Sequence, residues 1–172
     1  EFRILSLSGG GYLGLYTAVV LADLEKQVGE PLGRRFDLIA GTSVGGLLAM
    51  ALAFEVPMAN IVQLFIERGE EVFSSRRLPG GTVTRLLDMT RSVLGPKYTG
   101  EALRREIAMH FGGRTMGDAH HAVVVPAVDV SRSVTKVFKT PHTQGSLGDE
   151  GLSAVDVTLA TCAAPAYFPC VK

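Results

Sequence analysis

The chain has 172 residues, 47% of them hydrophobic, and its 17 basic side chains balance 17 acidic ones. That length suits one domain around one core, the apolar share excludes a disordered chain, and the neutral balance excludes a protein held on nucleic acid by a broad basic field. Two cysteines, Cys162 and Cys170, make no disulfide framework, and no Cys/His cluster has metal-ligand spacing, so no metal or cofactor is expected. The longest nearly unbroken apolar run, Val44 to Phe54, is far short of the roughly 20 residues of a membrane-spanning helix. No basic stretch followed by an apolar one opens the chain, so a reducing, cytoplasmic setting is expected. The chain opens without Met and stops soon after a Pro-aromatic-Pro segment, and it reads as a fragment of something longer.

Phe2 to Leu7 is short and apolar, as a strand buried on both faces would be. A glycine loop, Ser8 to Gly14, leads into a helix over Leu15–Gln27, with Leu15, Ala18, Val19, Ala22 and Val28 at helical spacing and Gly29 and Pro31 ending it. Phe36–Ala40 reads as a second strand, and Gly41 to Gly46 leads into Leu47–Phe54, whose Leu, Ala and Met content fits a buried helix. Further helices are expected over Met58 to Phe73, Val83–Leu94 and Glu101–Phe111, the last entered from Thr99 and closed by Gly112. Ala122–Val130 and Val134–Lys139 are β-branched runs that predict strands, Thr140–Gly151 is a polar loop, and Ser153 with Asp156 opens a helix reaching Cys162. Strands alternating with helices predict a three-layer α/β/α domain over residues 1–172 with a mostly parallel sheet.

Twenty glycines in 172 residues exceed the roughly 7% usual share, and seven of them, Gly9, Gly10, Gly11, Gly14, Gly41, Gly45 and Gly46, fall in two strand-to-helix turns. Gly9-x-Gly11-x-x-Gly14 matches a dinucleotide fingerprint, but the acidic residue wanted at the end of the second strand is absent; Asp37 stands at that strand's beginning. Gly41-Thr42-Ser43-Val44-Gly45 is G-x-S-x-G between a strand and a helix, the setting of a nucleophile elbow, with Ser43 as nucleophile and Gly41 and Gly45 clearing space around it. The plainer reading makes Ser43 a helix cap. Gly9, Gly10 and Gly11, in the turn beside it, would expose backbone N–H groups to the oxyanion of an acyl-transfer intermediate. Neighbouring strands would thus join both motifs in one reaction.

SLSGGGYLGLY, then DLIAGTSVGG, then ATCAAPAYFP occur in the order and spacing of the patatin-like phospholipase family, which the whole chain resembles. The resemblance implies a lipid acyl hydrolase of phospholipase A type, acting on a phospholipid membrane surface through a Ser-Asp dyad, with Ser43 as nucleophile and Gly9, Gly10 and Gly11 as oxyanion loop. Where the family often has Asp and then Arg or Lys, this chain has Ser8 and Leu13, leaving backbone donors as the main source of oxyanion stabilisation. The family's Asp-Gly-Gly or Asp-Gly-Ala motif does not occur, so the dyad Asp is unassigned and expected beyond residue 172; this fragment alone is expected to be nearly inactive. The wording around Tyr12 to Tyr16 is similar to the bacterial anti-phage effectors switched on by cyclic dinucleotides. It implies a cyclic-dinucleotide activator and peripheral membrane attachment when active, with an oligomer left open; the neutral charge balance leaves no nucleic-acid polymer as expected partner.

Other readings compete. An α/β-hydrolase-like esterase could use Ser43, Asp129 and His142 in that chain order, although only one strand precedes the one leading into the elbow. Asp129 more often caps a loop, Asp156 fits a helix start, and His110, His120 and His121 fit structural positions. A dinucleotide-binding domain on the first glycine motif, and a catalytically silent patatin-like module, complete the alternatives. Between Arg76 and Arg105, seven basic residues (Arg76, Arg77, Arg85, Arg91, Lys97, Arg104, Arg105) face Asp88 and Glu101. A solvated surface is the favoured account of that run, with anionic headgroups as the functional one.

Overall fold

The computed structural model describes residues 1–73, 101–141, 148–163 and 170–171. The expected helix Val83–Leu94, the entry at Thr99, most of the basic run and His142 lie outside them. Four strands, β1 (Ile4–Leu7), β2 (Leu38–Gly41), β3 (Val123–Asp129) and β4 (Val134–Lys139), form one mixed sheet in the order β1-β2-β3-β4. The first three are parallel and β4 returns antiparallel on β3, so the mostly parallel sheet expected from alternating strands and helices is present. The helices are α1 (Gly14–Val28), α2 (Val44–Ala53), α3 (Met58–Phe73), α4 (Glu101–Phe111) and α5 (Ala154–Cys162).

Every residue of α2 is buried, because it has no charged side chain to solvate and lies against β1, β2 and β3 with other helices around it. Leu47, Leu48, Met50 and Leu52 of α2 share the core with Ile39, Val123 and Val125 of the sheet and with Ile61, Phe65, Leu103 and Ile107. Helix α5 packs on α2 and β3, while α1 packs chiefly on α3. Gly112 ends α4 as expected, at φ 59°, with its N–H bonded to the Ala108 carbonyl at 2.8 Å.

Two expectations fail at the sheet's end. β1 is not buried on both faces: it ends the strand order, no described strand pairs with its outer edge, and Phe2 and Ile4 are 68% and 58% exposed. On α1 the inward face is Gly14, Ala18 and Leu21, and Val19 and Val28 stand exposed, so the apolar spacing there overstates the burial.

The end of the sheet where the strands begin is fastened by charge. Arg34 grips Glu55 with both carboxylate oxygens engaged, at 2.8 and 2.9 Å, and the ring of His121, just ahead of β3, bonds the same carboxylate at 3.0 Å. Glu25 accepts the N–H of Leu32 and of Met58, tying α1 to the start of α3. Arg114 lies 4.9 Å from the centre of the Phe54 ring and donates to the carbonyls of His110, Phe111 and Phe54, satisfying the ends of α4 and α2.

The hydrogen bond from Arg34 holds the Glu55 carboxyl down from its ordinary 4.5 to about 2, with His121 adding to the effect and burial opposing it. A carboxylate with a lowered folded-state pKa contributes stability that is complete above the unfolded value and is lost as pH falls. Stability from this clamp should therefore decline between pH 4.5 and about 2. Glu55→Gln should flatten that part of the acid slope, as read by urea unfolding in steps from about pH 6 to pH 3; an unchanged slope would remove the clamp from the account.

Candidate functional site

β1 and β2 end in register, Leu7 opposite Gly41, and the N–H of Thr42 extends the ladder by one bond to the Leu7 carbonyl at 3.2 Å. Both strands then turn into helices side by side. The second turn places Ser43 at φ 56°, ψ −128°, a backbone that a side-chain-bearing residue adopts at a cost of about 1–3 kcal/mol unless its surroundings enforce it. They do so by contact. A Cβ on Gly41 would collide with the Gly45 carbonyl, and one on Gly45 would collide with the carbonyls of Leu7 and Ser8. Gly45 thus lets the first turn of α2 lie directly on the end of β1.

Ser43 stands at the N-cap position of α2, but the plainer reading of its side chain as a helix cap is not what the structure contains. Its side chain makes no capping bond, whereas Ser153, at the start of α5, accepts the Asp156 N–H at 3.3 Å. The Ser43 hydroxyl stands half-buried at the N-terminus of α2, where the helix dipole favours negative charge.

Beside it runs the glycine loop. A Cβ built on Gly9 would lie 3.0 Å from the Ser43 Cβ and from the Thr42 carbonyl, and 3.7 Å from the Ser43 Oγ. Gly10 and Gly11 continue the loop, exposed, with Gly11 at φ 56° entering a short 3-10 turn over Gly11–Leu13. Tyr12 anchors that turn to α3: its ring meets Phe65 edge-on with centroids 6.3 Å apart and covers Gly69. Gly14 sits against the Val44 side chain, so α1 begins in contact with the first residue of α2. Two glycines of the fingerprint, Gly9 and Gly14, are thus accounted for by contact with the second turn.

The structure brings Ser43, Gly9, Gly14, Gly41 and Gly45 together, with Gly10 and Gly11 next in the loop, and leaves the acidic and histidine candidates among the described residues apart. Asp37 accepts the Arg3 N–H at 2.7 Å where the strands begin. Asp129 closes the β3–β4 turn, accepting the N–H of Ser131 and Arg132, as the loop-capping reading expects. It lies three residues, roughly 10 Å, along β3 from Pro126. Asp156 pairs with Arg104 at 2.7 Å in addition to opening α5. His110 is half-buried, and burial pushes its pKa down. Cys162 is buried, and burial pushes its thiol up to about 12, so it is an inert core residue. Among the described residues no group of three or more His, Cys, Asp and Glu could hold a metal ion, and no helix is long and apolar enough to cross a membrane.

One contact had no forecast in the sequence. Thr161, buried near the end of α5, accepts the Ser43 N–H on its Oγ1 at 2.9 Å and donates its own proton to the Pro126 carbonyl at 2.8 Å. Two hydroxyls inside the apolar run Val157–Cys162, Thr158 and Thr161, are the signal that could have drawn notice; Thr158 donates within its own helix to the Ala154 carbonyl at 2.7 Å.

Fold and site together define a mixed α/β protein with a strained serine at a strand-to-helix turn, packed against a glycine loop. The patatin-like phospholipase family profile matches residues 5–172, and the chain belongs to that family. It is 46% identical over 171 residues to a cGAMP-activated phospholipase of Pseudomonas aeruginosa (strain BWHPSA011 / Pa011), covering 99% of this chain and 49% of the relative. A cGAMP-activated phospholipase of Vibrio cholerae serotype O1 is 35% identical, with 98% and 49% covered. The chain therefore spans about half the length of these curated relatives. Among solved structures, VipD from Legionella pneumophila superposes with a TM-score of 0.56 at 13% identity over 98% of this chain and 43% of its own, a likeness of fold.

The contact between the two turns is testable apart from any activity. Gly14→Ala should destabilise the protein by about 1–3 kcal/mol, because its Cβ meets the Val44 side chain. Val44→Ala should recover part of that loss, so that a double-mutant cycle gives a coupling above about 0.5 kcal/mol. Additive costs in chemical denaturation would show that the two residues do not press on each other.

Proposed function

We propose that this chain is the nucleophile-bearing part of a lipid acyl hydrolase of phospholipase A type. The observation that carries the proposal is Ser43: a strained, half-buried serine with an uncommitted side chain at a helix N-terminus, flanked by three glycines, in a chain of the patatin-like family. Ser43 Oγ attacks the ester carbonyl of a glycerophospholipid and gives its proton to a carboxylate supplied outside residues 1–172. Negative charge gathers on the carbonyl oxygen, where the amides of Gly9, Gly10 and Gly11 receive it. Collapse of the intermediate expels the lysophospholipid alcohol, which takes the proton back from the carboxylic acid. Water, deprotonated by the same carboxylate, attacks the acyl-enzyme; its second collapse frees the fatty acid and restores Ser43.

The loop fits this role without a cation. Leu13 stands where the family often has Arg or Lys and is 78% exposed, so oxyanion stabilisation falls to backbone N–H groups, each worth about 3–4 kcal/mol of barrier when well aimed. The names of the Pseudomonas and Vibrio relatives support a cyclic-dinucleotide activator for the whole protein; a membrane-degrading effector of anti-phage defence, working from the membrane surface, is the role we propose for it.

The test is hydrolysis of phosphatidylglycerol and phosphatidylethanolamine vesicles by the full-length protein, with and without cGAMP. Ser43→Ala should abolish fatty-acid release and labelling by a fluorophosphonate probe while keeping the same melting temperature. Turnover surviving in that variant would end the nucleophile assignment, and labelling elsewhere in the chain would move it.

A further inference from the structure

We propose that Thr161 is the positioning residue of the nucleophile: its hydroxyl, set between β2 and β3 where they part, holds the backbone of Ser43 in its strained conformation. The inference rests on Ser43 being the nucleophile. β2 and β3 are paired at Ile39 with Val123 and Ala40 with Val124, and β2 ends one residue later at Gly41. β3 runs on to Asp129, so from Val125 it has lost its neighbour on that side. Ser43 is left with a backbone donor and Pro126 with a backbone acceptor, separated by the gap that the departing strand opens.

Thr161 fills the gap with one oxygen atom. Its Oγ1 lies 2.9 Å from the Ser43 nitrogen and 2.8 Å from the Pro126 oxygen. The direction of both bonds is fixed by chemistry. An amide nitrogen can only donate and a carbonyl oxygen can only accept, so the single hydroxyl proton must point to Pro126 and a lone pair to Ser43. At 8% exposure there is little room for water to replace it. A buried donor left unpaired is costly, so the chain at Ser43 is drawn towards α5 and cannot relax to an ordinary backbone without losing this partner.

Gly46 reports the same arrangement from the other side. Glycine within a helix is disfavoured relative to alanine, yet Gly46 is the third residue of α2 and has no positive φ that would call for glycine. A Cβ there would come 2.7 Å from the Thr161 Cγ2 and 3.2 Å from its Oγ1. The missing side chain at 46 is the space Thr161 occupies. One face of Thr161 therefore seats on α2, while its hydroxyl joins the turn leading into α2 to β3.

The role separates from simple packing by substitution and rescue in the full-length protein. Thr161→Val keeps the shape and removes the hydroxyl; Thr161→Ser keeps the hydroxyl and removes the methyl. With phospholipid vesicles, Thr161→Val should lower kcat about tenfold to a hundredfold at unchanged KM, the scale of a misplaced reacting atom, and Thr161→Ser should restore most of it. A Thr161→Val enzyme with the parent kcat, or a Thr161→Ser enzyme as impaired as Thr161→Val, would overturn the role. Should Thr161→Val fail to fold, amide hydrogen exchange of the parent protein decides. A Ser43 amide as protected as the core of α2 supports the bond to Thr161, and one exchanging as fast as the Gly10 and Gly11 amides overturns it. Ser43→Ala runs in parallel: turnover surviving there defeats the nucleophile reading, while parent-like Thr161→Val beside an inactive Ser43→Ala defeats only the positioning role.

Discussion

Two parallel strands end side by side, and each must turn into a helix in space that the other also needs. The contact that makes this possible is Gly45 against the carbonyls of Leu7 and Ser8, main chain on main chain. A side chain there would push the start of α2 off the end of β1, and the rest of the site would separate with it. Once Gly45 permits the approach, Gly9 comes to lie beside Ser43 and Gly14 beside Val44. The same approach lays α2 across three strands, which is why a ten-residue helix without a single charge is buried along its whole length. Site and core thus share one steric condition.

The two ends of the sheet are built from different physics. Where the strands begin, side-chain charge does the fastening: Arg34 with Glu55 and His121, Glu25 on two amides, Arg114 over three carbonyls. Where β1 and β2 end, the contacts are steric and main-chain, joined by one hydroxyl. The separation suits the proposed chemistry, in which the oxyanion meets backbone donors and the charge required beside Ser43 is that of the carboxylate taking its proton. It also gives Leu13 a consistent place, since the loop carrying it is held by Tyr12 on Phe65 and Gly69 and requires no ion pair.

How much of this could be read in advance depends on the range of the interaction. The G-x-S-x-G turn and the uniform burial of α2 are written locally, in consecutive small and apolar residues, and both stand where the sequence puts them. The burial of β1 is not local: Phe2, Ile4 and Leu5 read as a core strand whatever lies beside them, and only the strand order shows the outer edge unpaired. Val19 and Val28 mislead for the same reason, since helical spacing marks an apolar face without saying whether anything covers it. Thr161 is the extreme case. Its partners are 118 and 35 residues away, and no pattern in the chain ties a threonine before Cys162 to the turn at Ser43.

The strain at Ser43 also restricts how a base can reach it. The β1 side is taken by Gly9, which would bring a Cβ within 3.7 Å of Oγ. α2 lies behind, and Thr161 holds the backbone from the β3 side. Thr42 and the loop from Ser8 to Gly11 are exposed, so among the described residues the open side of Oγ is over the ends of β1 and β2. In the proposed mechanism the carboxylate that takes the Ser43 proton would use that approach without displacing the glycine loop, whose amides would meet the same substrate. Asp129 is poorly suited to that role: it is some three residues farther along β3 than Pro126 and is committed to two amides of its own turn.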